Sequence, residues 1–163
     1  MEQKILVPSD GSKVGEAALP FVEKLIAMMS PEVKVEVTLL GVVTVLRHWV
    51  AVGSTSVLID YTEEEWNSIK KGVADNLEKT AATLRKQGIM VNICVKTGNA
   101  ADEIFKTADE IKADMIAMST HGRSGLRRLV LGSVTDKVLR GASIPVLVVK
   151  APAGTVNREE SQT

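Results

Sequence analysis

Two rhythms of apolar residues alternate along the chain. Short continuous runs mark strands: Ile5-Leu6-Val7, which stops at Pro8; Val33 to Val43, ending Leu39-Leu40-Gly41-Val42-Val43; Met90 to Val95; Asp114 to Met118; and Val146 to Val149. Such runs, bounded by turn residues, read as buried strands. Between them the spacing becomes helical. Val14, Ala17, Ala18, Phe21, Val22, Leu25, Met28 and Met29 form the stripe of a first helix. It must end near Ser30, because Pro31 disfavours helix in the residue before it.

Thr62-Glu63-Glu64-Glu65 is a capping box, with Thr62 accepting from a backbone N–H and Glu65 reaching back. A second helix follows, with Trp66, Ile69, Val73, Leu77, Ala81 and Leu84 inward. Arg85 and Lys86 suit the negative end of its dipole, and Gly88 is the expected left-handed terminator. Asn99 caps a third helix that buries Ile104, Phe105, Ala108 and Ile111. A fourth, short helix runs from Val134 to Arg140 and stops at Gly141. Residues 44–61, with Trp49 and the turn-like Gly53-Ser54-Thr55-Ser56, read as a long loop.

The order is β-α-β-α-β-α-β-α-β. Continuously apolar strands separated by amphipathic helices call for a parallel sheet covered on both faces. Right-handed crossovers then leave a five-stranded doubly wound α/β fold as the simplest topology. One domain over 1–150 accounts for the pattern. Residues 151–163 show no apolar periodicity and are expected to be a disordered tail.

Composition narrows the chemistry. Aromatic residues are only 3% of the chain, so the core must be aliphatic and stacking on many rings is excluded. Lysine plus arginine equals aspartate plus glutamate at 20 each, whereas a nucleic-acid binder carries a basic excess or stripe. The dense basic cluster is Arg123, Arg127 and Arg128, enough for one polyphosphate and too little for a duplex. Cys94 is the single cysteine; it lies in an alternating apolar stretch and reads as a small buried hydrophobe in a reducing cytoplasm. A phosphatase-type loop would want arginine six residues on, where Ala100 stands. No charged leader precedes an apolar run, and no apolar stretch approaches the ~18–20 residues that span a bilayer. No membrane contact is expected.

The informative segment runs from Met118 to Thr135. It starts where a strand ends and finishes at a helix N-terminus. Gly122, Gly125 and Gly132 let backbone approach a ligand without a Cβ in the way. A helix N-terminus offers unpaired N–H groups and positive potential. Ser133 and Thr135 add hydroxyls. Phosphate is the chemistry this favours, although glycines that only shape turns and a Ser133 that only caps a helix would give the same letters. The pattern Gly-x4-Gly-Lys-Ser/Thr is absent, and so is Gly-x-Gly-x-x-Gly after the first strand. Pro8-Ser9-Asp10-Gly11-Ser12 lacks the first two glycines of the ATP pyrophosphatase loop. His121 could titrate near neutrality, but no carboxylate partner is fixed by sequence. Asp10 could cap the first helix, a role compatible with ligand contact.

At this loop the chain resembles the universal stress protein family, whose ATP-binding members carry Gly-x2-Gly-x9-Gly-Ser/Thr. Here the match is Ser119-x2-Gly122, nine residues, then Gly132-Ser133, with Ser119 in place of the first glycine. The resemblance also covers the opening Ile5-Leu6-Val7-Pro8-Ser9-Asp10-Gly11-Ser12, the run His121-Gly122-Arg123-Ser124-Gly125, and the ending Ile144-Pro145-Val146-Leu147-Val148-Val149. It implies sheet order 3-2-1-4-5 and bound ATP, with Mg or Mn carried on the phosphates. Pro8, Ser9, Asp10, Gly41 and Val42 would hold adenosine, with Asp10 hydrogen bonding to adenine or ribose and Val42 against the ring. Met118 would line the base. Ser119, Thr120, His121, Gly122, Arg123, Ser124 and Gly125 would wrap ribose and phosphates, and Gly132, Ser133, Val134 and Thr135 would hold the phosphate tail. The implied protein is a cytoplasmic, ATP-dependent regulatory or stress-response switch with a protein partner of unknown identity. It would be a homodimer through 144–149, an apolar edge strand by position, and would hydrolyse ATP slowly at most. A nucleotide-free dimeric interaction module and a slow ATPase are the rival readings.

Overall fold

Every neighbouring pair in the main sheet is parallel, as strands joined by helical crossovers must be. The computed structural model describes residues 1–13, 15–44, 48–120 and 131–150, with backbone alone at 48–52 and 57–58. The strands are β1 (Glu2–Pro8), β2 (Lys34–Val43), β3 (His48–Val52), β4 (Thr55–Ile59), β5 (Met90–Thr97), β6 (Met115–Ser119) and β7 (Val146–Val149). The helices are α1 (Leu19–Met28), entered through a 3₁₀ turn at Gly15–Ala18, α2 (Glu63–Lys86), α3 (Ala100–Ile111) and α4 (Ser133–Gly141). The main sheet runs β5-β2-β1-β6-β7. Numbering its five strands by themselves gives the expected 3-2-1-4-5.

Alternation along each strand splits the core into two layers. Ile5, Val7, Val37 and Leu39 turn to one face and pack under Leu19 and Val22 of α1 and Leu77, Ala81 and Leu84 of α2. Leu6, Leu40, Ile116 and Met118 turn to the other, against Ala101, Ile104 and Ala108 of α3 and Val138 of α4. The helices therefore cover both faces in pairs, the doubly wound arrangement. Thr62 caps α2 as its spelling requires: its Oγ1 accepts from the Glu65 N–H at 3.2 Å, and the Thr62 N–H donates to Glu65 Oε2 at 2.7 Å. Asn99 caps α3 by accepting from the Asp102 N–H at 3.3 Å. Gly88, just past α2, has φ +84°.

Three expectations need correction. Residues 44–61 are not wholly a loop: β3 and β4 form an antiparallel hairpin, with Trp49 opposite Leu58 and Val52 opposite Thr55. The inward face of α1 is Leu19, Val22, Ile26 and Met29, while Phe21 and Met28 are exposed at 53% and 75%. Apolar residues surround most of α1, and packing against the sheet selects which of them turn inward. Third, α4 starts at Ser133, one residue before the expected Val134, and its N-cap is Gly132. Phe105 and Ile111 of α3, and Trp66 and Ile69 of α2, are half-buried. Trp66 meets Tyr61 edge-to-face at 5.5 Å. Val14 and the tail 151–163 lie outside the described residues.

Gly41 of β2 lies close beneath α2. A Cβ there would lie 2.4 Å from Val73 Cγ1 and 3.2 Å from Leu77 Cδ1 of α2. Gly41→Ala is expected to push α2 off β2 and destabilise the fold by ~1–3 kcal/mol, the usual cost of overpacking. Urea unfolding of the two proteins measures it, and equal midpoints would show that α2 accommodates the methyl.

Candidate functional site

The crossovers after β1 and β6 leave on opposite faces, so a crevice opens outside the carboxyl ends of these adjacent strands. The backbone there is tied down. The Ser9 N–H donates to the Leu40 carbonyl at 2.8 Å, fixing the tip of β1 to β2. The Thr120 N–H donates to the Val149 carbonyl at 2.9 Å, and the Thr120 carbonyl accepts from the Gly132 N–H at 2.9 Å. One residue, Thr120, thereby joins the end of β6 to β7 and to the start of α4. A Cβ on Gly132 would come to 3.2 Å from that same carbonyl.

The turn after β1 is ordered by its own side chains. Asp10 Oδ1 accepts from the Ser12 N–H at 2.9 Å and from the Ser12 hydroxyl at 2.6 Å. Ser12 Oγ accepts from the Gly15 N–H at 2.9 Å, and the Glu16 N–H donates to the Ser12 carbonyl at 3.0 Å. Ser12 thus starts the first helical turn, the role the sequence left open for Asp10. Asp10 instead lies over Gly15, where a Cβ would be 2.2 Å from its Oδ1. Across the crevice the Ser119 hydroxyl faces the Gly15 carbonyl at 3.4 Å, and the Thr135 hydroxyl donates to the Ser119 carbonyl at 3.1 Å.

These elements enclose a cleft of about 180 Å³. Pro8, Ser9 and Asp10 form one wall, Leu40 and Val42 the floor toward β2, Met118 and Ser119 the opposite strand end, and Val134 and Thr135 the first turn of α4. Gly15, Leu40, Ala100 and Ile104 also line it and were missed by sequence reasoning. Leu40 was within reach, since it shares its parity on β2 with Val42; Gly15 had no local signal. Gly41 is placed elsewhere: its missing side chain points at α2, on the opposite face of the sheet. Thr120, Gly132 and Ser133 are not among the residues that line it; Thr120 and Gly132 join the end of β6 to the start of α4 through the backbone contacts above. His121, Gly122, Arg123, Ser124 and Gly125, with Arg127 and Arg128, lie outside the described residues.

The chemistry of the lining is mixed. Leu40, Val42, Ile104, Met118 and Val134 offer an apolar slot that suits a flat ring. Asp10 offers carboxylate acceptors for hydroxyl or amino groups. Gly132, the N-cap, has no side chain with which to cap the first turn of α4. The N–H groups of that turn carry the positive end of the dipole of a nine-residue helix, an arrangement that favours anions. Among the described residues no cluster of His, Cys, Asp or Glu could hold a metal ion by itself. Cys94 is half-buried on β5, and burial pushes its thiol up, away from the reactive thiolate. No helix among the described residues is long and apolar enough to cross a membrane.

The fold and the cleft define a doubly wound α/β protein with its candidate site at the topological switch point. The sequence pattern of the Universal stress protein family matches residues 1–150. Universal stress protein MJ0531 of Methanocaldococcus jannaschii is 35% identical over 153 residues, covering 92% of this chain and 83% of its own. Among solved structures, that of the M. jannaschii protein MJ0577 is similar at a TM-score of 0.72 and 28% identity, over 93% of this chain and 97% of that one. A universal stress protein family protein of Arabidopsis thaliana with AMP bound shares the fold at a TM-score of 0.62 and 18% identity, over 99% of each chain. The chain belongs to the universal stress protein family.

Proposed function

We propose that the chain binds ATP in this cleft and acts as a nucleotide-dependent regulatory or stress-response switch. The observation that carries the reading is the convergence of an apolar slot, the Asp10 carboxylate and the N-terminus of α4 on one crevice. An adenine ring fits the slot between Val42 and Met118. Ribose hydroxyls fit Asp10. Phosphates fit the N–H groups at Gly132–Thr135, with Ser119–Gly125 as the remaining wall and Mg or Mn carried on the phosphates themselves. The AMP bound by the Arabidopsis relative supports a nucleotide of the same base.

Asp10 is the one titratable side chain among the described residues that line the cleft. A general acid or base must sit within about 2.6–3.2 Å of the proton it moves. A carboxylate already accepting two bonds from Ser12 suits binding better than turnover, which supports a reading of slow hydrolysis at most. A cytoplasmic location and an unidentified protein partner complete the proposal. So does a homodimer through β7: it is an edge strand of the sheet, and among the described residues no side chain donates to its carbonyls.

Mass spectrometry of whatever is released when freshly purified protein is denatured tests the ligand, followed by calorimetry with ATP, ADP and AMP on the emptied protein. Adenine nucleotide in the supernatant and a saturable heat with ATP are expected. No nucleotide and no heat at millimolar ATP would favour the nucleotide-free module. Turnover at ordinary enzyme rates of ~1 per second or more, lost in His121→Ala, would favour the ATPase.

A further inference from the structure

The sheet has two edges, and they are not treated alike. Among the described residues no strand pairs with the outer edge of β7, whereas the outer edge of β5 is held by a side chain. Arg85, in the last turn of α2, donates from Nε at 3.1 Å and from Nη2 at 2.8 Å to the single carbonyl of Val91. The other side of its guanidinium pairs with the Glu78 carboxylate two turns back on the same helix.

The Val91 carbonyl belongs to the free edge. In a parallel ladder the N–H and C=O of one residue turn to the same side, and alternate residues turn to opposite sides. The Gly98 N–H donates to the Val43 carbonyl of β2, so even-numbered residues near this strand turn inward. Val91, Ile93 and Val95 therefore turn outward, to the side where no strand pairs.

That edge is otherwise suited to pairing. Met90-Val91-Asn92-Ile93-Cys94-Val95 is uncharged, free of proline and glycine, and rich in β-branched residues, the composition of strands that add to one another. Met90 is 48% exposed, and Ile93, Cys94 and Val95 are half-buried. An edge of this kind needs a charge or a cover. Glu78 and Arg85 supply both. For another strand to pair along β5, the fork would have to leave the Val91 carbonyl and its charge would have to be displaced or desolvated.

We infer that Arg85 is a latch on a latent pairing edge, whose occupant when unlatched is β5 of a second copy of this chain. The latch is independent of any ligand. It rests on the proposed β7 dimer only for the size of the unit that would grow: dimers joined through β7 and unlatched at β5 would propagate, because each would still carry two free edges. Closed assembly requires one edge of the sheet to refuse partners.

Arg85→Met removes the fork and keeps a side chain of similar reach over Val91. Sedimentation velocity from micromolar to near-millimolar, with circular dichroism on the same samples, is expected to show a weight-average mass that rises to at least twice that of the parent. The parent stays flat at the upper end of the range. Introduced into Leu147→Lys, which is meant to block β7, the same substitution is expected to give a dimer and nothing larger. If the parent proves monomeric and Arg85→Met dimerises it, the β7 dimer falls and the latch stands. Should Arg85→Met fail to fold, Arg85→Lys keeps the charge, loses the fork and is expected to shift the mass in the same direction by less. A folded variant with the parent's mass at every concentration, in both backgrounds, overturns the proposal.

Discussion

Gly132→Val is expected to weaken ATP binding by more than ~10-fold, about 1.4 kcal/mol or more, while lowering fold stability far less than it lowers affinity. The geometry is specific. Gly132 is the N-cap of α4, and its N–H already donates to the Thr120 carbonyl. A single Cβ would approach that carbonyl to 3.2 Å, and the branched side chain of valine adds two methyl groups at the same place. The start of α4 is then expected to shift relative to the end of β6. In the proposed site the N–H groups of Ser133, Val134 and Thr135 meet the phosphate only where that contact now holds them. The stability penalty is bounded, because valine replaces glycine at a single N-cap and such exchanges cost ~1 kcal/mol. Calorimetry gives the affinity and urea unfolding the stability. Gly132→Ala, with the Cβ alone, is expected to fall between the two. Equal heats for Gly132→Val and the parent would remove α4 from the site.

The end of β6 and the start of α4 were legible because their signals are local in sequence. A strand end, a spaced set of glycines and a helix N-terminus are contiguous between Met118 and Thr135. The capping residues Thr62 and Asn99 were legible for the same reason, since each cap spans only three residues. The cleft floor was less so. It is assembled from β1, β2, α3 and α4, and a residue's face on β2 depends on the parity of its position. Gly41 and Val42 are neighbours in the chain, and the pleat sends them to opposite layers, one against Val73 and the other into the cleft. Ile104 and Ala100 enter only because α3 returns across that floor, a tertiary fact with no local signature.

The misreading of α1 has a different cause. Leu19-Pro20-Phe21-Val22-Glu23-Lys24-Leu25-Ile26-Ala27-Met28 carries apolar residues around most of its circumference, so periodicity selects no face. Packing selected Val22 and Ile26 and left Phe21 and Met28 in solvent. The hairpin β3–β4, by contrast, had a signal. Two apolar runs lie on either side of Gly53-Ser54, a two-residue link with glycine first, and Gly53 has φ +64°. The long-loop reading took Gly53-Ser54-Thr55-Ser56 as a turn and did not pair the runs on either side of it. The Arg85 latch shows the same limit from another side. In sequence Arg85 is a charge at a helix C-terminus; only the register of β5 gives it a carbonyl to hold.

Leu147→Lys is expected to weaken the proposed β7 dimer by at least ~100-fold, about 2.7 kcal/mol, and to leave a folded monomer at micromolar concentration. β7 pairs with β6 through Ile116↔Val146, Ala117↔Leu147, Met118↔Val148 and Ser119↔Val149, which uses one side of the strand. The other side faces outward at the end of the sheet. Val146, Leu147 and Val148 are half-buried within one chain, so each has apolar surface left to cover. Pairing of β7 with its own copy about a two-fold axis is antiparallel and isologous, so a residue near the axis meets the same short stretch of its partner. A lysine at 147 then places two like charges close together across a dry contact, and such juxtapositions cost several kcal/mol. It also strands an ammonium among apolar neighbours whenever the partner is present. Val148→Lys applies the same test from the other layer, because Leu147 packs with the α1 and α2 side of the core and Val148 with the α3 and α4 side. Sedimentation equilibrium of the three proteins, with urea unfolding to separate loss of pairing from loss of fold, decides the matter. A parent that sediments as a monomer, or a dimer indifferent to both lysines, would show that β7 is not the edge through which this chain associates.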